Sequence, residues 1–135
     1  MNDHELIARL IKCEAEGEGD VGQRAVATVI MNRVRIREGE YGRYNTPRDV
    51  IFAENQFECV SGARNIYTVS PEQRHYEIAE WAINGGRLGG VDDALWFFNP
   101  FSDVCPDRFS NQSGFFYARI GEHCFYAPTS QYYST

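Results

Sequence analysis

Between residues 3 and 34 the chain carries two apolar faces at helical spacing, separated by a glycine-rich break. Leu6, Ile7, Leu10 and Ile11 recur with the helix period, and Asn2 stands three residues before Glu5 in capping-box register, which predicts a helix over 3–15. Gly17 and Gly19 supply the stop, because glycine tolerates the left-handed conformation at a helix end. A second helix starts at Asp20, with Gln23 placed to reach back to the cap. Val21, Ala25, Val26, Val29, Ile30 and Val34 give it an apolar face wide enough for a central, buried helix. "TPRD" at 46–49 and "SPEQ" at 70–73 repeat one start signal: a hydroxyl cap, proline at the first helical position and an acidic or amide residue at the third. They open helices over 47–54 and 71–84, the second ending at Gly85-Gly86.

The texture changes after residue 90. "ALWFFNP" (94–100) and "GFFYARIGEHCFYAP" (114–128) are rich in aromatics and interrupted by Pro, Gly and Asn, as short strands and a hairpin turning near Gly121 would be. Residues 101–113 have the Ser, Asp, Pro and Asn content of a loop. The expected fold is α+β and mainly α, one domain over 1–135, with a helical part over about 1–90 and a β/loop part over about 91–135. A groove is expected between them.

Composition narrows the function. The 135 residues, 43% hydrophobic and 14% aromatic, suit one globular core. A formal net charge of −6 without clustered Lys or Arg argues against nucleic acid as a partner. An anionic polysaccharide would have to be held by short-range contacts in a groove, since no long-range attraction draws it in. "MNDHELIARL" lacks the pattern of a secretory signal, and no run reaches 18 apolar residues, so the expectation is a chain made in the cytosol without a leader and without a membrane partner. Cys13, Cys59, Cys105 and Cys124 show no metal-ligand spacing, and no metal site is expected. In a leaderless chain such thiols are expected to be reduced, although Cys105 and Cys124 share one aromatic region and a bond between them stays open.

The stretch "KCEAEGEGD" raises the question of which carboxylate does chemistry. Glu14 falls on the last turn of the first helix, behind Leu10 and Ile11. Burial there would raise its pKa and keep a proton on it, as a general acid requires. A solvated helix-end glutamate is the plain alternative. Glu18 lies four residues on. It is either the partner carboxylate, which a retaining glycosidase needs at about 5–5.5 Å and an inverting one at about 6.5–9.5 Å, or an acceptor for amides at the start of the second helix. Glu16 is expected to be exposed. A cysteine nucleophile is conceivable with Cys13 or Cys59 beside His75, whereas the adjacent His123 and Cys124 would point to opposite faces of a strand. Most aromatics must be core, with two or three lining the groove. Asn99, Gln56 and Tyr117 are the polar groups expected to aim into it, and Asn32-Arg33 either joins them or holds a helix-end ion pair.

In the aggregate these segments resemble a known family. "EAEGEGDVGQRAVATVIMNRV", "PRDVIFAENQFECV", "ALWFFNP" and "ARIGEHCFYAP" are similar, in order and across nearly the whole chain, to the signatures of spore-cortex-lytic cell wall hydrolases of the SleB/CwlJ type. Glu16 where the SleB type has Arg, the short length, and Cys105 and Cys124 in "VCPD" and "HCFY" point to the CwlJ branch. The resemblance implies a lysozyme-like, lytic-transglycosylase-like domain with one essential glutamate, which maps onto Glu14, and a supporting role for Glu18. Gln56, Phe57, Asn99 and Tyr117 are the residues expected to bind substrate. The resemblance further implies cleavage of the N-acetylmuramic acid–N-acetylglucosamine bond in cortex peptidoglycan during germination. No cofactor is implied, but calcium dipicolinate is a trigger, a GerQ-like coat protein is a partner, and the location is the spore coat and outer cortex. Glu16 is expected to add negative charge near Glu14. A non-catalytic carbohydrate-binding coat protein and a cysteine-dependent wall peptidase are the competing classes.

Overall fold

A computed structural model describes residues 1–54, 56–60 and 62–135 of the chain. Asn2 accepts a hydrogen bond from the Glu5 amide at 2.9 Å and opens α1 (Asp3–Ala15). A four-residue turn leads into α2 (Asp20–Arg35), whose N-cap is Gly19. Thr46 caps α3 (Pro47–Ile51) by accepting from the Asp49 amide, with Pro47 at the first turn as its sequence predicts. The fourth helix, α4 (Gln73–Ile83), starts two residues later than "SPEQ" suggests. Its cap is Glu72, because His75 Nδ1 reaches back to accept from the Glu72 amide at 2.9 Å while the Glu72 side chain takes the His75 amide. The α3 helix stops at Ile51 and falls short of 54. Neither Gly17 nor Gly19 adopts a left-handed conformation; that role falls to Gly85, at φ +106° just past α4.

The helices pack around α2. Leu6, Ile7, Leu10 and Ile11 of α1 meet Ile30 of α2, Ile51 of α3 and Ile78 of α4 in one cluster, all at most 1% exposed. Each such side chain contributes about 1.5–3 kcal/mol on burial. Arg9 fastens the connection that follows α3 to α1 by donating to the carbonyls of Ile66 and Val69 at 2.8 and 2.9 Å.

The second part is an antiparallel sheet of β1 (Trp96–Phe98), β2 (Arg108–Phe109), β3 (Gly114–Ile120) and β4 (His123–Pro128), in the order β1-β4-β3-β2. The β3–β4 hairpin turns at Gly121, at φ +57°, where the sequence places it. The short β2 lies inside the stretch expected to be loop, since a two-residue strand is below what alternation can reveal. Val26 and Val29 of α2 pack on Phe125 of β4, so α2 separates the helical cluster from the sheet. Among the described residues there are four α-helices and four strands, the α+β class expected. No described helix is long and apolar enough to cross a membrane.

The cysteines overturn their expectation. All four are paired, Cys13 with Cys59 and Cys105 with Cys124. The first pair lies 46 residues apart in sequence yet 6.0 Å apart at Cα, a proximity that only the packed helices create. With no free thiol, a cysteine nucleophile beside His75 has no basis in this fold.

Loop-closure entropy ranks the two bonds. Replacing Cys13 and Cys59 together with Ala is expected to cost about 4 kcal/mol, and the Cys105/Cys124 pair, closing a 19-residue separation, about 3 kcal/mol. Chemical denaturation of the two double variants checks both the values and their order. Burial of His75 pushes its pKa below the ordinary value of 6.5, so the unfolded chain binds the extra proton first. Stability is therefore full above about pH 6.5 and falls as pH drops below it. His75→Gln keeps an acceptor for the Glu72 amide and removes the titration, so its melting temperature between pH 7 and 5 should fall less than that of wild type.

Candidate active site

A cavity of about 780 Å³ opens between the helical part and the sheet. Glu14 and Arg33 reach it from α1 and α2, Gln56, Phe57 and Glu58 from the segment after α3, and Asn99 from beyond β1. His123 of β4 lines its inner end.

Glu14 sits in the last turn of α1. The Cys13–Cys59 bond ties that turn to the short 3-10 turn Glu58–Val60. Burial raises its pKa above the usual carboxylate value; the negative charge of Glu58 adds to the rise, and the Cys59 amide works against it by favouring the anion. The negative end of the α1 dipole also disfavours an anion here. Glu14 Oε1 is buried without a hydrogen-bond partner among the described residues. A carboxyl held in this way keeps its proton to higher pH than an ordinary glutamate does and can deliver it to an oxygen placed in the cavity.

Glu16 does not act on Glu14 as its position suggests. It is exposed and compensated by Lys12 and by Arg64, whose Nη2 lies 2.6 Å from its carboxylate, and its own pKa is lowered. The carboxylate that bears on Glu14 is Glu58, 44 positions further along the chain and brought close by the fold.

Glu18 points away from the start of α2. Its Oε1 accepts from the Glu122 amide at 2.9 Å and lies 3.0 Å from His123 Nδ1, joining the α1–α2 turn to the β3–β4 turn. Gly22 and Gly121 flank its side chain, and a Cβ on either would collide with it. It is Gln23 that serves the α1–α2 turn, donating to the carbonyls of Ala15 and Glu18.

Gln56 is held from behind. Its Oε1 accepts from Arg33 Nη1 and from the Tyr41 hydroxyl, both at 3.0 Å. Arg33, only 3% exposed, makes no ion pair with a carboxylate among the described residues. It lies over the rings of Tyr41 (4.3 Å) and Phe57 (5.2 Å) and donates to the Leu95 carbonyl at 2.7 Å. Asn32 likewise turns inward, onto the carbonyls of Asp92 and Ala94. Phe57 stacks on Phe97 at 6.0 Å.

Tyr117 is not gathered into this cavity. Its hydroxyl donates to Asp92 at 2.9 Å, and its side chain lines a separate hollow of about 510 Å³ with Arg35 and Phe115. A bulge between Phe116 and Ala118 re-aims β3 there. Glu58, Tyr41 and His123 belong to the cavity and escape sequence reasoning. Glu58 could have been found only through the pairing of its neighbour Cys59.

The family model for cell wall hydrolases matches residues 17–126. The chain belongs to the cell wall hydrolase family. Glu14 lies three positions ahead of the matched stretch. "Cell wall hydrolase CwlJ" of Bacillus subtilis is 36% identical over 129 residues, which are 96% of this chain and 87% of that protein. A "spore cortex-lytic enzyme" of Bacillus cereus is 37% identical over 99 residues, 73% of this chain but 35% of that one. The catalytic domain of the germination-specific lytic transglycosylase SleB of Bacillus anthracis superposes with a TM-score of 0.71 at 31% identity, covering 93% of this chain and 94% of the other.

The grip of Glu18 gives a direct test. Gly121→Ala both forces a Cβ into a left-handed backbone and drives it against the Glu18 carboxylate, and is expected to cost at least about 1–2 kcal/mol. Glu18→Ala removes the acceptor of the exposed Glu122 amide and is expected to cost about 0.5–1.5 kcal/mol. In a double-mutant cycle by chemical denaturation the two losses should be less than additive, because the second change removes the group with which the first collides.

Proposed function

We propose that this chain cleaves the N-acetylmuramic acid–N-acetylglucosamine bond of spore-cortex peptidoglycan, with Glu14 as general acid and base. The observation that carries the reading is the half-buried Glu14, whose Oε1 is buried without a hydrogen-bond partner among the described residues, in the wall of an open cavity between the two parts of the fold. The names of its relatives, a cell wall hydrolase and a spore cortex-lytic enzyme, supply the substrate class.

Protonated Glu14 donates to the glycosidic oxygen as the bond to the anomeric carbon breaks. The oxocarbenium-like state gains support from the substrate's own acetamido group and from fixed dipoles around the cavity. Glu14, now a carboxylate, takes the proton of the sugar's C6 hydroxyl, which closes a 1,6-anhydro ring. That is the outcome of a lytic transglycosylase, the activity in the name of its SleB neighbour. Gln56, fixed by Arg33 and Tyr41, together with Phe57 and Asn99, forms the substrate-binding wall. Glu18 supports the site by pinning the turn that carries His123. Calcium dipicolinate as trigger, a GerQ-like coat protein as partner and the spore coat as location belong to the same proposal.

Mass spectrometry of fragments released from purified cortex tests it. Wild type should yield anhydro-muramic ends, and Glu14→Gln should lower the rate by about 10²–10⁴-fold. Reducing ends in place of anhydro ends would make the enzyme a hydrolase, and an unchanged rate in Glu14→Gln would remove Glu14 from the mechanism. The pH profile adds a second check. A general acid works while protonated, so activity should fall as pH rises through the raised pKa of Glu14. Glu58→Gln removes a charge that contributes to that rise, so its falling limb should move to lower pH.

A further inference from the structure

We infer that Phe101 is a stacking platform for a pyranose ring of the glycan at the mouth of the Glu14 cavity. The inference rests on the glycan-cleaving reading above and names a subsite for it.

Phe101 lines the same cavity as Glu14 and is 88% exposed. Its backbone stands at φ +52°, in the left-handed region, where a bulky side chain bears a steric penalty that glycine escapes. The ring makes no aromatic or cation-π contact among the described residues, so the fold gains nothing visible from an apolar group displayed to water. Strain and exposure together point to an interaction that the free protein lacks.

The surrounding chain keeps this conformation in place. Asn99 Oδ1 accepts from the Phe101 amide at 2.7 Å, fixing the turn that presents the ring. Arg119 Nη1 donates to the Ser102 carbonyl at 2.8 Å, and the Cys105–Cys124 bond anchors the far end of the segment to β4. Asn99, besides lining the cavity itself, thus positions Phe101.

The chemistry of the occupant follows from the cavity. Glu14, Glu40 and Glu58 line it together with Arg33 and Arg64, so its lining gives no one-sided charge to select an ion and suits a neutral group. N-acetylglucosamine is uncharged, and the C–H face of its ring matches an aromatic surface in size and polarity.

The experiment compares wild type with Phe101→Asn and Phe101→Trp on cortex glycan fragments, and measures binding of the N-acetylglucosamine tetramer by calorimetry. Asn tolerates the left-handed backbone, so Phe101→Asn should keep or raise the melting temperature. It should raise KM about three- to tenfold with kcat within about twofold, and weaken tetramer binding by a similar factor. Phe101→Trp should keep KM within about twofold. An unchanged KM in Phe101→Asn overturns the inference while leaving the activity intact. A melting temperature lowered by more than about 4 °C overturns it too, because the ring would then be a packing group. Wild type that releases no fragments, yet binds the tetramer more tightly than Phe101→Asn does, would defeat the cleavage reading and keep the stacking site.

Discussion

Helix α2 is enclosed on both sides, by helices on one and the sheet on the other, and the polar side chains on its enclosed faces, Gln23, Thr28, Asn32 and Arg33, are buried. A buried donor without a partner is costly, so Gln23, Asn32 and Arg33 hydrogen-bond to the backbone of neighbouring segments. Gln23 takes the carbonyls of the α1–α2 turn, Asn32 those of Asp92 and Ala94, and Arg33 that of Leu95. Thr28 accepts the amide of Leu88. These bonds set where the chain enters β1, and with it the wall of the cavity facing Glu14. The groove is thus a by-product of satisfying one central helix.

The electrostatics of the site run against the overall charge of the protein. In a chain carrying 19 acidic residues against 13 basic ones, Glu14, the acid proposed above, makes no ion pair among the described residues. Lys12 and Arg64 attend to Glu16, leaving Glu14 to burial, the opposing Cys59 amide and the charge of Glu58. Arg33, the buried cation of the cavity, lies against rings and donates to a carbonyl in place of pairing with a carboxylate.

Much of this was legible in the chain. The caps at Asn2 and Thr46, the turn at Gly121 and the buried face of α2 follow from local rules, because each depends on residues within a few positions of one another. Glu14 stood out through its place behind Leu10 and Ile11 and through the motif around it. What could not be read is set by distant pairs. The pairing of Cys13 with Cys59 and the influence of Glu58 on Glu14 depend on how α1 meets the segment after α3. The contact of Glu18 with His123 joins the two ends of the molecule. Tyr117 was misplaced because a bulge, which no alternation signals, intervenes. Phe101 passed as an ordinary loop residue, since its meaning lies in a backbone angle.

The bond between Cys13 and Cys59 joins the residue before Glu14 to the residue after Glu58. In an unfolded chain that stays oxidised, Glu14 and Glu58 each remain one residue from a bonded cysteine, so their Cα atoms stay within about 14 Å of one another, whatever the rest of the backbone does. The denatured ensemble then carries a memory of the site, and the search that rebuilds it skips the closure of a long loop. A reduced chain starts without that memory and must find the neighbourhood of its acid from the packing of helices alone.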